Sequence, residues 1–271
     1  MHYLILALAP GALILWWVYA KDRYEPEPGR LLWGTVGLGA LSSVWAIGLE
    51  FGGAAWGILP SDAVREGLPF GYALVAASYV ALAEESGKLL AVLALPFRHP
   101  AFNQWIDGIV YSVAAALGFA TVENLLYVFG SLVSPFGATG ALVVGGVRAV
   151  TAVPGHAVYG VLMGVWIGAA RMVPARRRRN LALALILPAA AHAAYDSVLL
   201  TRSALALLIV PLLIGLVVFS VRAVRAAGGH DAQYSRQFWG WRARIDSAGV
   251  ERRAPDAGKA RQRVNKPVRK S

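Results

Sequence analysis

The 271-residue chain is expected to be all-α, a polytopic transmembrane helix bundle of about seven spans with its N-terminus outside and its C-terminus cytoplasmic. Three observations predict this. The sequence is 57% hydrophobic and only 15% charged, whereas a soluble domain carries about 25% charged residues. The charges are segregated and leave apolar stretches of about 20 residues between them, enough to cross a bilayer. Thirteen of the 26 Lys and Arg residues follow Val221, so the net charge of +11 belongs mostly to one end. A basic excess confined to a tail speaks of topology and anionic lipid headgroups, and no nucleic-acid partner is expected. Cysteine is absent, which excludes disulfides, thiolate metal sites and a cysteine nucleophile.

The first span covers about 2–20. No positive residue precedes its apolar run, so it reads as a retained helix rather than a cleaved signal. The others cover about 31–50, 68–95, 105–130, 148–170, 181–200 and 204–222. Lys21, Arg23 and Arg30 follow the first span, Arg98 the third, Arg171 and Arg176 to Arg179 the fifth. The opposite loops hold only Arg65 and Arg202, with Arg148 expected at that outer interface as a structural residue. Positive residues stay cytoplasmic, which sets the orientation and places the chain in the cytoplasmic membrane as a multi-pass protein. Trp16, Trp17, Trp33 and Trp105 fall at the inner interface. Two regions follow, a bundle over 1–222 and a basic cytoplasmic tail over 223–271. In the tail, 233–245 mixes aromatics with arginines as an interfacial anchor does. Beyond Gly249 the composition is that of a disordered segment. No internal repeat is evident, which weighs against an inverted-repeat transporter.

The spans carry ionisable residues where they are expensive. Glu84, Glu85 and Lys88 lie in the third, Glu123 and Asn124 in the fourth, His156 in the fifth, His192 and Asp196 in the sixth. A charge at the bilayer centre costs about 2.5–3.5 kcal/mol even on the lenient insertion scale, so these groups must face the interior and satisfy one another. Helical spacing allows it. Glu84 and Lys88 are four apart, as are His192 and Asp196, and Phe119, Glu123 and Tyr127 form a ladder. Gly160, Gly164 and Gly168 follow His156 at four-residue steps, a seam along which another helix can approach closely, just after a kink expected at Pro154.

This constellation suits hydrolysis. A carboxylate in a desolvated site is a general base for water, and a histidine held by a carboxylate one turn away is an oriented acid or metal ligand. His192 with Asp196 has that form. If a metal is used, His156, His192, Glu123 and Asp196 are its candidate ligands, and a divalent ion such as zinc fits them. No Gly-x-Ser, Gly-Asp or His-Glu-x-x-His occurs, so serine, presenilin-type and zinc-helix proteases are disfavoured. The rival readings are a proton- or cation-coupled transporter and a non-catalytic membrane scaffold.

The residues also resemble a family. Glu84-Glu85-Ser86-Gly87-Lys88 resembles the EExxK motif of the PrsW intramembrane proteases, and Phe119 to Asn124 resembles their FxxxEN motif. Pro154-Gly155-His156 resembles a third motif, and His192 with Asp196 the HxxxD of a late helix. Lys21 to Pro28 is similar to the family's first loop. The resemblance spans about 21–200 in the right order. It implies a membrane endopeptidase, distantly related to the CAAX prenyl proteases, whose substrates are membrane-anchored proteins such as anti-sigma factors. Family names imply a metal, whereas the CAAX relatives resemble glutamate-activated-water enzymes, so both mechanisms stand open. The expected catalytic residues are Glu84, Glu85, His192, Asp196, Glu123 and His156. Either Glu84 or Glu85 is the base; a Glu84–Lys88 ion pair would leave Glu85 free.

Overall fold

The computed structural model describes residues 2–22, 25–60 and 67–248, with side chains up to Asp231. Arg23, Arg65 and the segment beyond Gly249, expected to be disordered, lie outside the described residues. The described chain folds into eight α-helices: α1 His2–Tyr19, α2 Gly29–Ala55, α3 Phe70–Ala94, α4 Trp105–Val133, α5 Gly137–Val150, α6 Ala152–Met172, α7 Arg177–Leu200 and α8 Ile209–Ala248.

Helix α4 is the axis of the bundle and lies against α1, α2, α3, α5, α6 and α8. Its residues from Ile106 to Ala120 are buried without a break. Close packing here depends on glycine. A Cβ on Gly164 of α6 would stand 2.5 Å from the Gly108 carbonyl oxygen of α4, so these two backbones touch. Gly39 of α2 meets the Ala115 backbone of α4 in the same way. Small residues at such spacing let membrane helices approach until their main chains are in contact.

Polarity is inverted relative to a water-soluble protein. Leu41, Phe51 and Val75 are 63%, 73% and 56% exposed, while Glu85 and Lys88 are fully buried. Only a bilayer makes that arrangement favourable. Six helical segments are long and apolar enough to cross one: His2–Tyr19, Gly29–Ala55, Trp105–Val133, Gly137–Met172, Pro174–Leu200 and Ala204–Asp231. Helix α3 has 25 residues and the length to span, but its Glu84, Glu85 and Lys88 set it apart from those six.

Three features differ from the sequence reading. The stretch before Arg148, taken as loop, is helix α5, whose 14 residues are too few to span alone. The chain breaks at Thr151 (φ −122°, ψ −70°), and Pro154 sits in the first turn of α6 instead of kinking it, because proline is tolerated where its missing N–H has no helical acceptor. No helix ends at 222: α8 runs on to Ala248, and Val224 and Asp231 are buried in the bundle.

Candidate active site

The break at Thr151 and the glycine seam between α4 and α6 bring His156 level with the polar residues of α3, α4 and α7. A cavity of about 680 Å³ opens among these helices, lined by Glu84, Glu123, Arg148, His156, Tyr159, His192 and Asp196, with Glu50 of α2 at its wall.

The six expected residues come together in one connected network. Asp196 Oδ2 lies 3.2 Å from His192 Nε2, and His192 Nδ1 lies 3.0 Å from Glu85 Oε1 and 4.0 Å from Glu84 Oε2. Lys88 Nζ donates to Glu85 Oε1 at 2.7 Å and Glu84 Oε2 at 3.2 Å, and lies 3.0 Å from His156 Nδ1. His156 Nε2 is 2.7 Å from Glu123 Oε2. An ammonium has three donors and no acceptor, so Lys88 is fully satisfied and His156 Nδ1 is an acceptor. His156 is then protonated on Nε2 and donates to Glu123. Both nitrogens of His192 face carboxylates, so His192 is placed to donate from each. The aromatic surroundings are tight: Phe119 lies under Lys88 Nζ at 4.3 Å, and Tyr159 stacks on His192 with centroids 4.8 Å apart.

The two glutamates differ. Lys88 does not pair with Glu84 alone; its shorter contact is to Glu85, the reverse of the pairing that would leave Glu85 free. Glu85 is fully buried, and its Oε1 is taken by both Lys88 and His192. Glu84 lines the cavity. Helix rotation decides this, since adjacent residues point about 100° apart.

Arg148, read from the sequence as a structural residue, is joined to the site: its Nη2 pairs with Glu123 Oε2 at 2.9 Å and its Nε donates to Asn124 Oδ1 at 2.7 Å. Asn124 in turn donates to the Ala7 carbonyl at 3.4 Å, and Arg148 lies over the Tyr127 ring at 4.0 Å. Its position on the arginine-poor side of the predicted topology was the available signal. Tyr159 is another missed residue, three positions after His156 and so on the same face.

Two sets of three donors converge within 4.8 Å: Glu84, Glu123 and His156, and Glu84, Glu85 and His192. Nitrogen and carboxylate donors of this kind suit a zinc-like ion. The first set lines the cavity throughout and leaves space for a further ligand. In the second, Lys88 and His192 already share Glu85 Oε1. His156 and Glu123 thus fall in one set and His192 in the other, while Asp196 belongs to neither.

Residues 27–224 match the family described as PrsW family intramembrane metalloprotease. The chain belongs to the PrsW family. It is 34% identical over 216 residues to Protease PrsW of Clostridioides difficile, covering 78% of this chain and 85% of the relative. Against Protease PrsW of Bacillus subtilis the identity is 30% over 221 residues, covering 81% and 93%. Against that of Geobacillus kaustophilus it is 33% over 195 residues, covering 72% and 78%. No solved structure matches. The PrsW chain described here is therefore a multi-pass membrane peptidase, and the transporter and scaffold readings are not favoured. The resemblance carried by Glu84 to Lys88, Phe119 to Asn124, His156, and His192 with Asp196 holds at the level of the family.

Proposed function

We propose that this peptidase cuts single-span, membrane-anchored proteins, anti-sigma-factor-like regulators among them, with a water activated by Glu84. The observation that carries the assignment is that Glu84 faces the cavity while Lys88 and His192 hold Glu85 away from it. In this reading Glu84 takes a proton from water as the water oxygen bonds to the scissile carbonyl carbon. His156, donating from Nε2, and Arg148 lie on the cavity wall where negative charge would develop on the carbonyl oxygen. His192, held between Glu85 and Asp196, gives a proton to the leaving amine as the C–N bond breaks. The proton on Glu84 then restores it. Tyr159 keeps the imidazole of His192 in place by stacking.

The divalent ion implied by the family's description, zinc by donor chemistry, would be held by Glu84, Glu123 and one nitrogen of His156, which would give up its contact to Lys88 or its proton toward Glu123 to do so, and the ion would supply a Lewis acid and a more acidic water. The positive-inside pattern supports an N-terminus outside and a C-terminus inside, which puts the cavity in the outer half of the bilayer. The bundle of 1–222 carries the chemistry in this reading, and the basic region from 223 onward meets anionic headgroups on the inner leaflet, without a nucleic-acid role.

Reconstitution of the full chain in vesicles with single-span substrates tests the assignment. Cleavage by the wild type that is lost in Glu84→Gln and His192→Ala is expected. Cleavage that survives in both variants would overturn it. Undiminished turnover after chelation would exclude an essential ion.

A further inference from the structure

A second carboxylate cluster lies at the other end of α4. It joins Asp22 and Glu27 of the α1–α2 connection to Asp107 in the first turn of α4, all three buried, with one oxygen from each lying within 4.8 Å of the others. Asp107 and Glu123 are separated by sixteen residues of one helix, or about 24 Å along its axis, so this cluster is distinct from the peptidase site.

The wiring of the cluster is selective. Glu27 Oε2 accepts from the Tyr111 hydroxyl. Asp107 Oδ2 accepts from the backbone amides of Asn103 at 2.7 Å and Gln104 at 2.6 Å. In each residue the second oxygen, Glu27 Oε1 and Asp107 Oδ1, is buried without a partner. Both oxygens of Asp22, 4% exposed, are likewise buried and unpartnered. The three carboxyl groups therefore carry four buried oxygens without a hydrogen-bond partner, and one oxygen of each residue stands within 4.8 Å of the others. Among the described residues no Lys or Arg forms an ion pair with any of them. Asp231 of α8 adds a further carboxylate beside the cluster, its two oxygens capping the amides of Trp105 at 3.1 Å and Ile106 at 3.0 Å.

Three buried carboxylates with open oxygens are strongly unfavourable unless something positive joins them. The missing partner is chemically defined: all donors are hard oxygens, none is nitrogen or sulfur, and the spacing matches metal–oxygen bonds of about 2.0–2.6 Å. We infer that Asp22, Glu27 and Asp107 form a binding site for a divalent oxygen-seeking cation, calcium or magnesium, that ties the α1–α2 connection to the start of α4. The tyrosine and backbone donors behind the ligands orient them, as outer hydrogen bonds do in metal sites. The site is structural: it fixes the helices α1, α2 and α4 against which the peptidase network is built, without touching substrate.

The test uses the full chain, stripped of metal by chelation and purified in detergent. Terbium, a luminescent stand-in for calcium that nearby Tyr111 and Trp105 can sensitise, is titrated first, then displaced with calcium or magnesium. Saturable luminescence is expected, together with a rise in Tm when calcium or magnesium is added. Asp22→Asn should weaken binding by at least about tenfold. Glu27→Gln is the second variant, should Asp22→Asn fail to fold. Glu84→Gln should leave the luminescence unchanged, separating this site from the peptidase donors. Absence of saturable binding up to about 10 mM calcium or magnesium, above the range of weak calcium sites, would overturn the proposal in favour of a proton shared among the carboxylates. So would binding that both Asp22→Asn and Glu27→Gln leave intact.

Discussion

The ammonium of Lys88 on α3 stands 3.0 Å from Nδ1 of His156 on α6. That contact fixes the histidine tautomer and directs its Nε2 proton at Glu123. Lys88 is also the counter-ion of Glu84 and Glu85, so Lys88→Met leaves two buried carboxylates without their cation. A loss of about 3–5 kcal/mol is the expected scale for breaking such a pair. Thermal denaturation in detergent should show a large fall in Tm, with cleavage abolished; an unchanged Tm would contradict the pairing.

Glu84 and Glu85 should separate by phenotype. Glu84→Gln is expected to keep the Tm near wild type and to lower kcat by about a hundredfold or more, as loss of a general base does. Glu85→Gln removes the charge that Lys88 and His192 share, so its Tm should fall as well. Equal Tm values with activity lost only in Glu85→Gln would reverse the two roles.

Arg148 reaches Glu123 and Asn124 at once through two different nitrogens. A lysine has one ammonium and cannot reproduce that fork. Arg148→Lys is expected to lower kcat by about tenfold or more while the protein stays folded. Wild-type kcat in Arg148→Lys would return this residue to a merely interfacial role.

The α4–α6 seam has a direct control. Gly164→Ala puts a methyl group 2.5 Å from the Gly108 carbonyl oxygen, whereas Gly130→Ala meets nothing within 4 Å. The first should destabilise by about 1–3 kcal/mol, as overpacking does, and reduce cleavage by shifting His156 away from Glu123. The second should be neutral in both assays. Similar behaviour of the two variants in denaturation and cleavage would argue against backbone contact at the seam.

Burial and the Asp107 carboxylate push the Asp22 carboxyl from its ordinary 3.8 up to about 7, and that of Glu27 from 4.5 up to about 9. The folded protein therefore holds protons that the unfolded chain has released. Stability from these groups is full below the ordinary values and is lost as the pH rises through about 7 for Asp22 and about 9 for Glu27. In chelator, Tm should fall over this window in the wild type and fall less in Glu27→Gln. A profile that is the same in both would show that these carboxylates do not titrate as described.

Much of this was legible in the sequence because helical periodicity is local. Apolar length set the spans, and the price of intramembrane charge singled out Glu84, Glu85, Glu123, His156, His192 and Asp196 before any packing was known. Four-residue spacing gave the His192–Asp196 pair and the glycine seam after His156. Contacts between helices are not local. Arg148 joined the site only because the turn at 134–136 folds α5 back against α4. Glu84 and Glu85 were indistinguishable until the rotation of α3 was known. The meeting of Asp22 and Glu27 with Asp107 had no signature at all, since residues about 80 apart are joined only by the docking of a loop on a helix end. The sequence by itself determined which side chains needed partners, through solvation cost and helical repeat; the tertiary structure alone decided who those partners are, because rotation and close approach of helices are set by packing across the whole bundle.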